Sequence, residues 1–210
     1  VRRQHEPWQK EATCLFATEK TREGLMLYDD HDNVHRFNTK GEAMRMMVER
    51  WDEVRSQSLE SPSQIMLAYT KKEVKALNEQ ARSIRHSQSE LGKDHTFETS
   101  KGTREFAQGD RVYFLKNDNR NLQVKNGTLG TIEKIDENTI DVRLDDNRLV
   151  SFNTQDYNDL DHGYAATIHK AQGITVDRTH VLASPYLDRH STYVAMSRHR
   201  EGVDLYLSRD

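Results

Sequence analysis

The run Gln64-Ile65-Met66-Leu67-Ala68-Tyr69 constrains the fold of this chain more than any other feature. It is almost continuously apolar, which is typical of a strand in a parallel sheet that is buried on both faces. A capping box follows directly, in which Thr70 and Glu73 satisfy each other's free backbone amides. The helix that begins there has an apolar stripe at 3.6-residue spacing, formed by Val74, Leu77, Ala81 and Ile84. A strand that leads straight into a capped helix predicts an α/β fold with a parallel sheet.

Segments at both ends of the chain extend this pattern. Before the central strand we expect a helix from Trp8 to about Thr21, short strands at 25–28 and 34–37, and a helix opened by a second capping box, Thr39 to Glu42. After Gly163 the order strand, helix, strand, helix, strand returns, with strands at 180–183 and 203–207 and a helix at 189–199. The α/β domain is therefore expected to be discontinuous, covering residues 1–101 and 153–210.

The pattern changes after about Gly102. Short β runs alternate with turns between residues 106 and 152, and Asn126-Gly127 and Asp145-Asp146-Asn147 are typical hairpin signals. So many short strands in such a short stretch predict a small β-barrel at 102–152, inserted into the α/β domain.

Charge and cysteine content limit the classes of function. With 31 basic and 34 acidic residues and a net charge of −3, the chain has no overall basic field, so any contact with nucleic acid must come from a local patch. Its single cysteine, Cys14, excludes an internal disulfide framework and fits a reducing compartment. A mean hydropathy of −0.94 agrees with the lack of a long apolar run. We expect a cytoplasmic protein and, because the chain starts at Val1 without a methionine, part of a longer polypeptide.

Residues 163–173 carry the first cluster of candidate functional side chains. Thr167 can cap a helix start, whose free N–H groups and positive dipole end suit a phosphate oxygen. Three further donors and a conformationally free glycine follow, namely His169, Lys170, Gln172 and Gly173. The same residues also fit an ordinary capped helix with a polar surface, and spacing alone does not separate the two. A metal-ligand role for His169 is not expected, because no Cys or His partner stands nearby at metal-site spacing.

The second cluster is the run Tyr193-Val194-Ala195-Met196-Ser197-Arg198. On a helix, Tyr193, Val194 and Ser197 share one face, so Arg198 is expected near the core-facing edge. A surface salt bridge is the more ordinary role for such an arginine. Its planar and permanently charged guanidinium is also well suited to a phosphate.

Thr167-Ile168-His169-Lys170-Ala171-Gln172-Gly173 matches motif V of the superfamily 1 helicases almost residue for residue, and the run 193–198 resembles motif VI. The closest resemblance is to the branch that includes RecD and the conjugative relaxase-helicases of the TraA type, and the stretch from Trp8 to Ala43 favours the TraA type. The resemblance implies a RecA-like parallel sheet flanked by helices, with an inserted small Src-homology-3-like β-barrel.

The family pattern also implies roles for individual residues. Arg198, together with Arg3 in an Arg-Gln pair that is similar to motif IV, would contact the γ-phosphate of ATP, which makes both of them catalytic and cofactor-binding. The resemblance implies that the following residues bind nucleic acid: Thr70, Lys71, Asn78, Arg111, Thr167, His169, Gln172 and Gly173.

Two parts of a complete motor are missing from the sequence. There is no Gly-x-x-x-x-Gly-Lys-Ser/Thr phosphate loop, and no buried strand ends in an Asp-Glu pair that could hold magnesium. The resemblance therefore implies the C-terminal motor half of an ATP-dependent 5′-to-3′ DNA helicase, inactive alone. The upstream RecA-like domain of the same polypeptide would hold ATP and Mg2+. The expected partners are single-stranded DNA, this upstream domain and the conjugation machinery. Two alternatives stay open: a non-catalytic module that binds single-stranded DNA or docks a protein, and a helicase directed at RNA.

Overall fold

The computed structural model describes residues 3–210, so Val1 and Arg2 lie outside the described residues. The chain divides into two compact units. The first unit is built from Val1–Gln80 together with Ala165–Asp210, and the second unit is Ala81–Tyr164. The first unit is therefore discontinuous in sequence.

The helices and strands follow one another in this order. The chain begins with α1 (Pro7–Ala17), α2 (Thr21–Asp30), β1 (Val34–Phe37), α3 (Lys40–Ser56), β2 (Gln64–Ala68) and α4 (Lys71–Ser87). It continues with β3 (His95–Thr99), β4 (Gly102–Phe106), β5 (Arg111–Phe114), β6 (Leu129–Ile135), β7 (Thr139–Leu144), β8 (Leu149–Asn153) and β9 (Leu160–His162). It ends with β10 (Ala165–Thr167), a 3₁₀ turn (His169–Ala171), β11 (Val176–Leu182), α5 (Arg189–Ala195) and β12 (His199–Ser208).

A five-stranded sheet in the order β1-β12-β11-β2-β10 forms the centre of the first unit. Every neighbouring pair in it is parallel. Strand β2 is buried at every position, as the apolar run predicts. Helix α3 buries an apolar stripe with helical spacing, formed by Ala43, Met47, Trp51 and Val54. The parallel α/β fold expected from the sequence is confirmed.

Both predicted capping boxes are present. Thr39 Oγ1 accepts a hydrogen bond from the backbone N–H of Glu42 at 3.2 Å, and Glu42 accepts one from the backbone N–H of Thr39 at 3.3 Å. At α4, Thr70 Oγ1 accepts from the N–H of Glu73 at 3.2 Å, while Glu73 accepts from the N–H of Thr70 at 2.9 Å. These local signals place the starts of α3 and α4 directly after β1 and β2.

The strand expected at 25–28 is wrong, because these residues lie in α2. A short apolar run does not distinguish a buried strand from one face of a helix. Packing against α1 decides the outcome: a Cβ atom on Gly24 would lie 2.6 Å from Phe16 Cε1, so the two helices approach closely at this glycine. Tyr28 is fully buried there, and its hydroxyl lies 2.9 Å from His199 Nε2.

The helix expected at 189–199 is also shorter than predicted. It ends at Ala195, and β12 begins at His199, where it pairs with Val176 of β11. Residues 196–198 therefore form the link between helix and strand. Arg198 is not on the helix, and it lies immediately before a buried strand.

The second unit is an antiparallel five-stranded sheet in the order β8-β7-β6-β5-β9, accompanied by the hairpin β3-β4. Its core includes Phe106, Val112, Phe114, Ile132 and Val142. The unit is larger than the expected insert at 102–152, because β9 pairs with β5 and because β3, the first strand of the β3-β4 hairpin, precedes residue 102. Strand β9 covers only Leu160–His162, too short for a periodic signal in the sequence.

A buried carboxylate holds the second unit together near its two ends. Asp110 is 0% exposed and accepts hydrogen bonds from Arg82 Nε at 3.1 and 3.0 Å, from the N–H of Ala107 at 2.8 Å and from the hydroxyl of Tyr164 at 2.6 Å. The charge is therefore paired and fully hydrogen-bonded, as a buried carboxylate requires.

Two buried histidines lie in the first unit. Burial lowers the pKa of His180 to about 4 and that of His199 to about 3. In the neutral form, His180 Nε2 donates to Gln64 Oε1 at 2.7 Å and Nδ1 accepts from the hydroxyl of Tyr206 at 3.2 Å. Protonation would add a donor at Nδ1, which would then face the hydroxyl group that donates to this atom in the neutral form.

We expect the stability of the protein to fall with acidity partly through His180. An unfolded histidine titrates near 6.5, so below that pH the unfolded chain binds a proton that folded His180 refuses down to about pH 4. The free energy of unfolding should therefore fall by about 1.4 kcal/mol per pH unit on account of this residue between roughly pH 6 and 4.5. Urea unfolding at several pH values measures the slope. His180→Gln should flatten it by that amount, and the exposed His5→Gln should not; equal slopes for all three proteins would contradict the assignment.

Candidate functional site

The amino edge of the parallel sheet brings together residues that come just before β11 and β12. Thr175 precedes β11, and Arg198 precedes β12. Because these strands are adjacent and parallel, with Val176 paired to His199, the two preceding residues lie side by side. This adjacency is the starting point of the candidate site.

Arg198 is nearly buried, with 6% of its surface exposed. Its Nε donates to the carbonyl oxygen of Val194 at 3.0 Å, and Nη2 donates to Ser197 Oγ at 2.8 Å. Within residues 3–210 the guanidinium forms no ion pair with a carboxylate. Burial lowers the pKa of Arg198, the nearby charge of Arg3 lowers it further, and Tyr193 acts in the opposite direction. Because no carboxylate among residues 3–210 pairs with this buried positive charge, a bound anion would stabilise it.

Arg3 reaches the same edge from the other end of the chain. Its Nε donates to Thr175 Oγ1 at 2.8 Å. The neighbouring Gln4 is 1% exposed, and its Nε2 donates to the carbonyl oxygens of Ser197 at 3.2 Å and His199 at 2.9 Å. Gln4 therefore fixes the N-terminal segment against the link that carries Arg198. From the sequence, Gln4 was identified only as part of an Arg-Gln pair. Its hydrogen bonds to Ser197 and His199 join segments that are distant in sequence, so only the fold reveals them.

The two guanidinium groups form a cationic site that we call the arginine pair, Arg3 and Arg198. In the described part of the chain, neither is neutralised by an acidic side chain, and each is oriented by a hydroxyl group. Planar guanidinium groups with free N–H donors match the oxygens of a phosphate. The arrangement is therefore suited to binding an oxyanion at the amino edge of the sheet.

Arg200 differs from the arginine pair. Its Nη1 donates to Asp177 Oδ1 at 3.0 Å, and Asp177 also accepts from the backbone and side chain of Ser63, each at 3.0 Å. The charge of Arg200 is thus already matched within the protein. Its role in this structure is to tie β12 to β11 and the start of β2.

The opposite, carboxyl edge of the sheet holds the other predicted residues. Thr167 ends β10, and its hydroxyl oxygen accepts from the N–H of Lys170 at 3.3 Å. The helix expected after Thr167 is only a 3₁₀ turn, His169–Ala171, and the phosphate contact expected there stays a prediction. His169 and Gln172 are exposed, and Gln172 Nε2 lies 3.2 Å from His190 Nε2. Gly173 has φ 90° with nothing within 4 Å of a Cβ position, so it serves backbone conformation rather than close packing.

Residues 168–175 cross the sheet from its carboxyl edge to its amino edge. Strands β10 and β11 both run parallel to β2, so the segment that joins them must return to the opposite edge. The segment begins directly after Thr167 and ends at Thr175, which contacts Arg3. The structure thus places the end of β10 and Arg198 at opposite edges of the sheet and links them through this segment.

Three of the remaining predicted residues lie in α4 or directly before it. Thr70 forms the capping box, Lys71 is exposed, and Asn78 is only 8% exposed. Asn78 Nδ2 donates to the carbonyl oxygen of Ala165 at 3.3 Å, and the N–H of Ala165 donates to Asn78 Oδ1 at 3.0 Å. Asn78 therefore anchors the edge strand β10 and is not placed as an exposed contact for nucleic acid. This placement differs from the one expected.

Arg111 lies in the second unit and is engaged there. Its two Nη atoms donate to the two oxygens of Asp145 at 2.6 and 2.9 Å, and Nη1 also lies 3.3 Å from Thr131 Oγ1. A bidentate ion pair leaves this guanidinium poorly suited to a phosphate contact. The nucleic-acid contact expected for Arg111 stays a prediction, and it would require this ion pair to open.

No helix among residues 3–210 is long and apolar enough to cross a membrane. Over the same residues there is no group of three or more His, Cys, Asp or Glu side chains that could hold a metal ion. The chemical content of the candidate site is thus cationic and hydroxylic.

Comparisons with known proteins identify a family model and several relatives that this chain matches. A family model described as the viral superfamily 1 RNA helicase core domain matches residues 78–207. The conjugal transfer protein TraA of Agrobacterium fabrum is 39% identical over 209 residues, which is 98% of this chain and 19% of that protein. This chain thus spans under a fifth of the length of such TraA relatives. The ATP-dependent RecD2 DNA helicase of Deinococcus radiodurans is 35% identical over 97 residues, 44% of this chain and 13% of that protein.

A solved structure shows the same fold. The Pif1 helicase from Bacteroides, in complex with ADP-AlF3 and ssDNA, superimposes with a TM-score of 0.61 at 22% identity, over 98% of this chain and 50% of that chain. The chain therefore shares the α/β architecture of the Pif1 helicase domains, with a parallel sheet flanked by helices.

Proposed function

Because the chain belongs to the superfamily 1 helicases, and is similar to TraA conjugal transfer proteins over nearly its whole length, we propose that it is the second RecA-like motor domain of an ATP-dependent DNA helicase that moves 5′ to 3′. In this proposal it serves conjugal DNA transfer in the cytoplasm. An upstream RecA-like domain of the same polypeptide completes the motor.

The arginine pair carries the proposal. Arg198 and Arg3 are two neighbouring cations that lack a carboxylate partner in residues 3–210, and Gln4 and Ser197 hold them at one edge of the sheet. We assign them as arginine fingers that contact the γ-phosphate of ATP. In phosphoryl transfer, charge on the equatorial oxygens is stabilised by such groups.

The upstream domain supplies the site for ATP and Mg2+ in this proposal. The residues of this chain fit the phosphate end of the nucleotide, because the arginine pair presents unpaired guanidinium donors. Magnesium would be held by the partner domain and would neutralise phosphate charge there. This chain contributes binding and orientation of the γ-phosphate.

The exposed and half-buried residues of the carboxyl edge are assigned to single-stranded DNA. Thr70, Lys71, Thr167, His169, Gln172 and Gly173 form this set. Asn78 stabilises this set through its two hydrogen bonds to Ala165, the first residue of β10, and it does not contact the DNA. Since residues 168–175 join this edge to the arginine pair, a change at the γ-phosphate can bias the grip on DNA. Such coupling requires a two-state closure in which the phosphate contacts differ between the states.

We assign the second unit as the Src-homology-3-like insert of the RecD-type helicases. Its antiparallel sheet and its position between β2 and β10 in sequence support this assignment. A non-catalytic module that binds single-stranded DNA or docks a protein is the competing function. The unneutralised arginine pair suits backbone phosphates in such a module as well as the γ-phosphate in a motor, so ATP hydrolysis decides between the two functions.

The proposal is tested by joining this chain to the nucleotide-binding half of a TraA-type helicase. We expect the 210-residue chain alone to hydrolyse no ATP, and the joined protein to show hydrolysis that single-stranded DNA stimulates. A coupled assay for ADP release measures both. Turnover by the chain alone that a metal chelator abolishes would overturn the proposed division of labour, and a joined protein that folds yet ignores DNA would favour the docking module.

A further inference from the structure

Two exposed tyrosines stack on each other in the first unit. Tyr69 is 43% exposed and Tyr186 is 71% exposed. Their ring centroids lie 5.7 Å apart with an angle of 29° between the planes, which is offset stacking. Large aromatic side chains are usually withdrawn from water, so a stacked pair that leaves both rings accessible indicates a surface for a planar ligand.

The backbone of each tyrosine is held at the carboxyl edge of the sheet. Tyr69 directly follows β2, and the N–H of the next residue, Thr70, is held by Glu73 at 2.9 Å. Tyr186 follows the adjacent strand β11, and its own N–H donates to Ser184 Oγ at 3.2 Å. The N–H of Leu187 donates to the carbonyl oxygen of Ser184 at 3.1 Å, and this turn fixes the backbone that carries the second ring. The two rings are therefore positioned in advance of any ligand, which lowers the entropic cost of binding.

The order of strands along this edge is β11, β2, β10. Residues that follow these strands therefore lie in the order Tyr186, Tyr69 and then Thr167 with His169. The tyrosines thus continue the exposed surface assigned to the DNA strand. This surface extends across neighbouring strands of one rigid sheet.

The charge around the rings favours a polyanion. Lys71 and Lys72 are exposed at the start of α4, and His190 is exposed at the start of α5, whereas the neighbouring Arg189 is already paired with Glu19 at 2.9 Å. The nearest acidic group in sequence is Asp188, whose Oδ1 accepts from the N–H of Ser191 at 2.7 Å as the cap of α5. Basic side chains beside exposed aromatic rings are the usual composition of a single-strand binding surface.

We propose that Tyr69 and Tyr186 form a stacking platform for a base of the single strand; this inference rests on the proposed function and adds base contacts to it. A base stacks on the outer face of Tyr186, and Tyr69 supports that ring from the other side. Base–aromatic stacking needs only a π-face, so the platform holds the strand with little regard to sequence. The lysines beside it contact the backbone phosphates.

Fluorescence anisotropy with the 210-residue chain tests the platform, using a labelled oligothymidylate of about twelve nucleotides and a strand of equal length made of abasic sites. We expect Tyr186→Ala to weaken binding of the thymidylate about tenfold, within the range that stacking contributes per base. Tyr69→Ala should weaken it less, by a few-fold, because that ring only supports the other. Neither substitution should change binding of the abasic strand, which offers no base to stack.

Tyr186→Phe is the matched control, since it keeps the aromatic face and loses only the hydroxyl. We expect wild-type affinity for it, and unchanged thermal unfolding for all variants because both side chains are exposed. Wild-type affinity of Tyr186→Ala for the thymidylate, or an equal loss on the abasic strand, would overturn the platform and leave the proposed motor function standing. A wild-type chain that binds neither strand would overturn the proposed DNA grip and the platform with it.

Discussion

Arg198→Ala is expected to lower the DNA-stimulated rate of ATP hydrolysis about 10³-fold or more in a protein that joins this chain to a nucleotide-binding domain. An arginine finger contributes on the order of 10³–10⁵ in rate, because its charge meets oxygens whose charge changes in the transition state. Arg198 fits this role since burial leaves it nearly without water and, within residues 3–210, without a carboxylate. Its charge can therefore interact with the phosphate, because no ion pair within residues 3–210 neutralises it.

Two control variants make this result specific. Arg189→Ala removes an arginine of α5 that pairs with Glu19 at 2.9 Å, with both side chains largely exposed, and the rate should change less than about twofold. Arg198→Lys keeps a charge and loses the planar fork, so most of the rate should still be lost. Thermal unfolding checks that the lost bonds to Val194 and Ser197 leave the fold intact. A decrease below about tenfold for Arg198→Ala in a folded protein contradicts the role.

Asp110→Ala is expected to lower the free energy of unfolding of the second unit by about 3–5 kcal/mol. Asp110 accepts hydrogen bonds from Arg82, from the N–H of Ala107 and from the hydroxyl of Tyr164. Removing its carboxylate takes this acceptor away from all three donors. Groups stranded in this way lose their hydration without compensation, which is why breaking a buried pair costs more than the pair contributes.

Hydrogen exchange at the amides of β6 and β7 measures this loss in the right unit. Both tryptophans, Trp8 and Trp51, lie in the first unit, so tryptophan fluorescence serves as an internal reference that should hardly change. Asp146→Ala is the matched control, because Asp146 is exposed and pairs with Arg148 on the surface at 2.9 Å. Its effect should stay within about 1 kcal/mol. Equal effects of Asp110→Ala and Asp146→Ala would show that the buried network does not stabilise the unit.

Much of the fold follows from patterns that are local in sequence. The apolar run of β2, the two capping boxes and the stripe on α3 depend on residues within one or two helical turns, and all are present in the structure. Where a local pattern is short, it failed: residues 25–28 form a helix because Gly24 and Phe16 pack, and α5 stops early because β12 pairs with β11 from His199 onward. In both cases the deciding contact lies outside the short local pattern.

The candidate site divides in the same way. The order of the two motif-like runs identified Arg198, Thr167 and their neighbours, because binding of a phosphate or of a DNA strand requires particular side chains. Motif order carries no information about exposure, so it did not reveal that Asn78 is turned to Ala165 or that Arg111 is paired with Asp145. Helical spacing for Arg198 was equally misleading, since the residue lies in a link and not on α5.

The residues of the chain alone establish which elements form and which chemistry the motifs belong to, since capping, periodicity and side-chain type act over a few neighbouring positions. The pairing of Arg3 with Arg198, the stacking of Tyr69 on Tyr186 and the separation of motif V and the arginine pair onto opposite edges of the sheet depend on the order β1-β12-β11-β2-β10. That order brings together segments from distant parts of the chain. It is set by the burial of β2 and β11 and by parallel pairing, whose connections must return across the sheet, and no local pattern encodes this constraint.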